Sequence, residues 1–307
     1  MAYKIYDHKF EWKGNFDYAR TCIKQALEQI DYPEDLNIFN HTDLTQMNYS
    51  NVLFVKPTAP TSKHFAIDTI GYANASKLAF EEPYEPDIMY SHLNSKNNMD
   101  WSKIETLINQ RSNKWDDSIL LKWRKAKDVP KEHILVIGQM PDDETVKGFG
   151  LGGHWESITL IVERLYAQVT EFPIVVKIHP RLKLRGKQKD IVDKWIQDGI
   201  DVRDGYESIH DFLPHTRVAI LDNSTAGIEC LMHEVPIISY GFPEYHCVTK
   251  QLQSLTQLPK LCNDISWHKK EKAMKFIYWY INDYLCYDVE STKNRLNEIF
   301  NISRFKD

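Results

Sequence analysis

The stretch RVAILDNSTAGIECLMHEVPIISYG, residues 217–241, decides the fold. Its first part, RVAILDN (217–223), is an apolar run that ends in polar residues, as a buried strand does. TAGIECLMHE (225–234) has the composition of a helix, and VPIISYG (235–241) is again strand-like and closes on glycine. Strand, helix and strand with so little chain between them form a right-handed crossover unit of a parallel sheet.

The same alternation extends towards the N-terminus. HILVIGQM (133–140) is a buried strand, HWESITLIVERLYAQV (154–169) a helix, PIVVKIH (173–179) a strand and KQKDIVDKWIQDG (187–199) a helix that stops at Gly199. The C-terminal half is therefore a doubly wound α/β domain. The N-terminal half is less regular. Residues 15–31 carry Phe16, Ala19, Ile23, Ala26, Leu27 and Ile30 on one helical face. LNIFN (36–40) and NVLFVKP (51–57) read as short strands. Residues 57–100, rich in Pro, Asn, Ser and Tyr, read as loop, and 101–126 return to a helical pattern. The polar KAKDVPKEH (125–133) reads as a linker, and 266–303 as one or two closing helices. The expected division is 1–128, 129–265 and 266–307, the last packing back towards the N-terminal domain.

Composition narrows the function classes. With 307 residues, 42% hydrophobic and 26% charged, the chain is of ordinary globular make-up and long enough for two cores. A formal charge of −5 provides no global field for nucleic acid. The five scattered cysteines form no CxxC, so neither a disulfide framework nor a structural zinc site is expected, and no metal-ligand cluster stands out. No apolar run spans a bilayer and no leader-like segment opens the chain, so a cytoplasmic protein with at most peripheral membrane contact is expected.

In a doubly wound sheet, ligands bind beyond the carboxyl ends of the strands. Four polar clusters fall there: Gln139–Thr145, Lys177–Arg181, Asn223–Thr225 and Gly241–Tyr245. Asn223, Ser224 and Thr225 open a helix, whose unpaired N–H groups suit an anion; ordinary capping is the plainer reading. Glu229, one turn on, is either a ribose acceptor or a solvated helical residue. Lys177 and His179 share a strand face, Pro180 ends the ladder, and a phosphate or sugar carboxylate fits that basic pair. Asp142 and Asp143 follow a strand as potential nucleophile, acid or base, or as plain turn residues. GFGLGG (148–153) reads as a flexible loop near the site. Asp68 reads as a loop aspartate of the other domain.

Taken in order, ILVIGQMPDDETV, VVKIHPR and NSTAGIECLMHEVPIISYGFPEYH resemble the capsule-polysaccharide biosynthesis glycosyltransferases, the bacterial β-Kdo transferases. KPTAPTSKHFAIDTIGYANAS is similar to that family's N-terminal segment. The resemblance covers roughly 51–80 and 134–246. It implies a GT-B-type fold: two Rossmann-like domains with parallel sheets facing a central cleft, and closing C-terminal helices. It implies a glycosyltransferase moving Kdo, a hexose or a pentose from a nucleotide-sugar (CMP-Kdo-like, or a UDP-sugar such as UDP-xylose) to a glycan hydroxyl, with no cofactor or metal. By the same resemblance, Asp143 falls on a carboxylate nucleophile and Asp68 on an acidic residue facing the acceptor. Gln139, Lys177, His179, Ser224, Thr225 and Glu229 fall on donor-binding positions. Asn223 is counted with them from its place at the strand end, and Arg181, Asp142, Thr145 and Tyr245 are secondary candidates. EYHCVT (244–249) departs from the family's aromatic loop, and Thr145 stands where the family has serine. A nucleotide-sugar epimerase or hydrolase, or a non-enzymatic glycan-binding protein, are the alternative readings.

Overall fold

The structure is a computed structural model that describes residues 3–6, 13–30, 35–40, 62–73, 75–79, 99–114, 124–143, 146, 153–169 and 171–304. The chain divides into two compact units. The first comprises Met1–Leu107, Ser112–Asp117 and Tyr278–Asp307, the second Ile108–Arg111 and Ser118–Ile277.

In the first unit, strands β1 (Tyr3–Tyr6), β2 (Asp35–Asn40), β3 (Ser62–Tyr72) and β4 (Ala75–Ala79) pair in that order, and β11 (Leu285–Cys286) adds beside β4. β1, β2 and β3 run parallel, as expected. β4 is antiparallel to β3, and β11 antiparallel to β4, which corrects the expectation of a parallel sheet for that edge. The reading of 57–100 as loop is corrected too. SKHFAIDTIGY is a long strand that turns back through Ala73, whose φ of 46° lies in the left-handed region. A loop-like average composition concealed a β-branched and aromatic run followed by a tight turn. Asp68 therefore lies within β3, opposite Lys77. Helix α1 (Lys13–Ile30) buries Ala19, Cys22, Ile23, Ala26 and Leu27 and packs against α8 (Val289–Arg304). Of the expected helix over 101–126, α2 (Ser102–Asn109) is described. The proposed strand 51–57 lies outside the described residues.

The second unit holds β5 (His133–Ile137), α3 (His154–Gln168), β6 (Ile174–Lys177), α4 (Lys187–Gln197) and β7 (Asp201–Arg203). These are followed by β8 (Thr216–Leu221), α5 (Ala226–Met232), β9 (Ile237–Ser239), β10 (Lys250–Gln251), α6 (Leu258–Asn263) and α7 (Lys270–Trp279). Its described strands form one parallel sheet ordered β10-β9-β8-β5-β6-β7. β5 is buried along its whole length, which is why its sequence is a continuous apolar run instead of an alternating one. Trp155 of α3 and Trp195 of α4 stack with centroids 6.2 Å apart over the Ile and Val side chains of β5 and β6. Burying each such aliphatic side chain contributes roughly 1.5–3 kcal/mol.

The segment read as a linker is fastened to this unit. Arg203 donates to the carbonyls of Lys127 and Asp128, and the amide of Ala126 donates to Asp211. The closing helices are α7, a single π-helical turn over Tyr280–Tyr284, and α8.

Strand order places the site. From β5 the chain moves outward through β6 and β7, then crosses to the opposite side of β5 for β8, β9 and β10. The direction of winding reverses between β5 and β8, and a crevice opens at the carboxyl ends of such a strand pair.

Candidate functional site

Gln139 and Asn223, each two residues beyond the end of its strand (β5 and β8), clasp each other across that switch point. The Gln139 side-chain amide donates to Asn223 Oδ1 at 2.7 Å, and the Asn223 backbone N–H donates to Gln139 Oε1 at 3.1 Å. Both side chains were expected on the donor. The structure gives them a prior role, fixing the spacing of the two strand ends.

A second polar pair lies beneath the clasp. The backbone N–H of Gln139 donates to His154 Nε2 at 3.0 Å, so the ring proton of the neutral imidazole sits on Nδ1. That Nδ1 faces Asp222 Oδ2 at 3.8 Å, with both side chains 1% exposed. His154 Nδ1 and Asp222 Oδ1 have no hydrogen-bond partner. Sequence reasoning missed both residues. The available signals were a histidine at the first position of a helix and an aspartate closing the apolar run AIL.

β6 delivers Lys177 and His179 to the same edge, where each already has a protein partner. Lys177 is 6% exposed, and its ammonium donates to the carbonyl of Gly205 at 2.9 Å and lies 3.5 Å from that of Asp204. Burial brings its pKa from 10.5 down to about 8, against the opposing pull of Asp204, Glu207 and Glu229. Its engaged atoms brace the end of β6 against the end of β7. The strand ends meet so closely that a Cβ on Gly205 would lie 2.2 Å from Pro180 Cα.

His179 is half-buried. Its Nδ1 accepts the backbone N–H of Arg181 at 3.2 Å, which leaves the proton on Nε2. Burial, with Arg181 adding to it, lowers the pKa to about 4, although the carboxylate of Asp143 pulls the other way. At neutral pH His179 is thus an uncharged N–H donor. Asp143 is exposed and sits in a turn, its N–H donating to Met140 O at 3.1 Å. Asp142 and Arg181 are also exposed. Thr145 and residues 148–152 of the glycine-rich loop lie outside the described residues.

Beyond β8, Asn223, Ser224 and Thr225 are half-buried and lead into α5, a helix of seven residues. The Ser224 hydroxyl accepts the N–H of Ala226 at 3.3 Å, while Thr225 makes no side-chain cap. Tyr245 is buried, donates its hydroxyl to the Ser224 carbonyl, and lies where a Cβ on Gly227 would be, 2.1 Å away. It shapes the 224–227 turn from behind. Glu229 is 3% exposed, which excludes the solvated reading; its charge acts on Lys177. Phe242, after β9, is 55% exposed on the same carboxyl edge, an apolar surface that the sequence reading did not single out. Asp68 belongs to the first unit. Among the described residues no group of three or more His, Cys, Asp or Glu could hold a metal ion. No described helix is long and apolar enough to cross a membrane.

A solved structure with a TM-score above 0.5 agrees with this architecture. The beta Kdo 2,7 transferase of Thermosulfurimonas dismutans KpsC superposes over 98% of this chain and 100% of its own, with a TM-score of 0.52 and 13% identity, a likeness of fold. The beta Kdo 2,4 transferase of the same KpsC covers 71% of each chain at a TM-score of 0.43 and 15% identity. The Staphylococcus aureus MnaA–UDP co-structure covers 97% of this chain and 84% of that one, at 0.40 and 12%. No curated protein matches by sequence. The family model described as capsule polysaccharide biosynthesis protein matches residues 74–288. With most of its length inside that match, the chain belongs to the capsule polysaccharide biosynthesis protein family.

Proposed function

We propose that the chain is a glycosyltransferase of capsule or related glycan synthesis, and that the carboxyl edge of the β5, β6 and β8 strands holds its nucleotide-sugar donor. The observation that carries this reading is the convergence at the switch point. A clasped Gln139–Asn223 pair, the uncharged His179 N–H and the Ser224–Thr225 turn all come from strand ends of one sheet. Family membership and the Kdo-transferase-like fold support it.

Each group then has a task. His179 Nε2–H donates to a donor phosphate or sugar carboxylate. Being neutral, it needs no proton transfer to do so between about pH 5 and 8. The backbone N–H groups of Ser224 and Thr225 are offered to the same charge. Lys177 acts one layer back, by holding the β6 and β7 ends together. Preorganised donors around the departing nucleotide lower the barrier where negative charge builds up.

Asp143, close enough to His179 to bias its protonation, is the carboxylate we place on the donor side. In a double displacement its oxygen bonds to the anomeric carbon as the bond to the nucleotide breaks. The acceptor hydroxyl then displaces the carboxylate, losing its proton to a base. The other course is a single inverting displacement with Asp68 as base. The donor is CMP-Kdo or a UDP-sugar, the setting the cytoplasm, and we propose no metal or organic cofactor.

The test is donor turnover with and without glycan acceptor, after a thermal-shift screen with CMP, UDP and GDP. Acceptor-dependent release of one nucleotide, with retention and an Asp143-linked glycosyl adduct by mass spectrometry, is expected. Inversion with an inactive Asp68→Asn variant would assign the single displacement. Turnover without acceptor would make the protein an epimerase or hydrolase. Glycan binding with no nucleotide affinity would sink the transferase reading.

A further inference from the structure

Two residues beyond His179 the chain runs RLKLRGK, residues 181–187, and its burial alternates. Arg181, Lys183, Arg185 and Lys187 are exposed, whereas Leu182 and Leu184 are half-buried and pack against the second unit's core. The leucines therefore hold the segment down while the cations form a ridge. Its ends are fixed by Leu182 N–H on His179 O at 3.0 Å and by Gln188 N–H on Arg185 O at 3.2 Å. At the far end Gly186 takes a φ of 49° with nothing near its Cβ position, and α4 starts there.

The three cations beyond Arg181 differ from their neighbours in pairing. Neighbouring Lys189 is paired with Asp193, and Lys194 lies 3.6 Å from Glu163. Among the described residues, Lys183, Arg185 and Lys187 form no ion pair. In a chain of net charge −5, three exposed cations, Lys183, Arg185 and Lys187, with no ion pair among the described residues and beside the candidate donor site, need an account.

We infer that residues 183–187 are a docking ridge for a linear acidic glycan, the growing acceptor chain. This rests on the transferase reading for the ridge's purpose, though not for its chemistry. Alternate exposed cations match a polymer that repeats its negative charges and lies across several of them. The surroundings fit other polyanions less well. A membrane-binding segment joins cations to exposed apolar anchors, yet the leucines here turn inward. The exposed Ile196 lies roughly 13 Å further along α4. Single-stranded nucleic acid calls for stacking aromatics among the cations, and the segment has none.

The test uses the full chain on immobilised polysialic acid, with dextran as the neutral control. Vesicles of phosphatidylcholine, with and without phosphatidylglycerol, test the lipid alternative. The wild type should bind polysialic acid and not dextran, and lose binding as ionic strength rises from about 0.05 to 0.3 M. Lys183→Gln/Arg185→Gln/Lys187→Gln should weaken binding about tenfold or more, and the Glu triple variant should abolish it. Both variants should keep the wild-type melting temperature and any nucleotide-induced shift. No polysialic acid binding by the wild type overturns the inference. So does equal binding by the Gln variant, or a preference for phosphatidylglycerol vesicles over the glycan. Failure of the transferase reading is separately visible, as absence of any nucleotide shift while the glycan still binds.

Discussion

Replacing Lys177 by methionine tests whether this lysine braces the strand ends or waits for a ligand. Methionine keeps most of the side-chain volume and removes the ammonium. In the wild type Lys177 is 6% exposed, and its pKa falls from 10.5 to about 8. At 1.36 kcal/mol per pH unit, keeping it charged in the folded state costs roughly 3 kcal/mol. Against this stands the charged hydrogen bond to Gly205 O at 2.9 Å, whose loss leaves a buried carbonyl unpaired at about 1–3 kcal/mol. At pH 7 the two effects nearly cancel, and Lys177→Met should lie within about 1 kcal/mol of the wild type.

The pH dependence separates them. A lysine with a lowered folded-state pKa holds fewer protons folded than unfolded between about pH 8 and 10.5, so stability rises with pH across that window. Wild type should therefore gain roughly 3 kcal/mol on Lys177→Met over that range, and the variant should lack that component. Urea unfolding followed by tryptophan fluorescence at stepped pH measures the difference. Parallel curves would refute the reasoning, because an ammonium open to solvent in the free protein would titrate near 10.5 in both states.

Gln139→Ala removes both bonds of the strand-end clasp and should lower stability by about 1–2 kcal/mol, measured by urea unfolding, and weaken nucleotide binding further. Gly205→Ala drives a Cβ into the Pro180 backbone and should cost about 1–3 kcal/mol by the same measurement. Gly153→Ala meets only the mobile carboxylate of Glu156 and should cost much less. His179, and His233 at the end of α5, where burial and the neighbouring His210 ring act on it, are each held at a pKa of about 4, so the unfolded chain binds more protons between about pH 6.5 and 4; stability should fall as pH drops through that window, seen in the melting temperature.

The second unit was readable because the central residues of β5, β6, β8 and β9 are buried, and such strands appear as apolar runs that stop at Gly, Pro or a polar cluster, as at Gly138, Pro180 and Asp222. β7 escaped notice because its three residues are half-buried and alternate Asp, Val, Arg. β10, with Lys250 exposed, gives no hydrophobic signal. The β3–β4 hairpin was obscured by averaging composition over a long window. Within the site, chain order placed Gln139, His179 and Asn223 at one edge but could not reveal what each already touches. Lys177 reads as a ligand cation until Gly205 O is seen beside it, a contact that depends on β7 being the next strand. His154 comes to Gln139 by tertiary packing of α3, which no local spacing encodes.

The proposed position of the donor site is open to direct measurement. Hydrogen–deuterium exchange with mass spectrometry, with and without a saturating concentration of whichever nucleotide raises the melting temperature, reads it directly. Protection should appear together in peptides covering 138–143, 177–181 and 222–226, the carboxyl ends of β5, β6 and β8. Protection confined to other parts of the second unit, with those three peptides unchanged, would contradict the account.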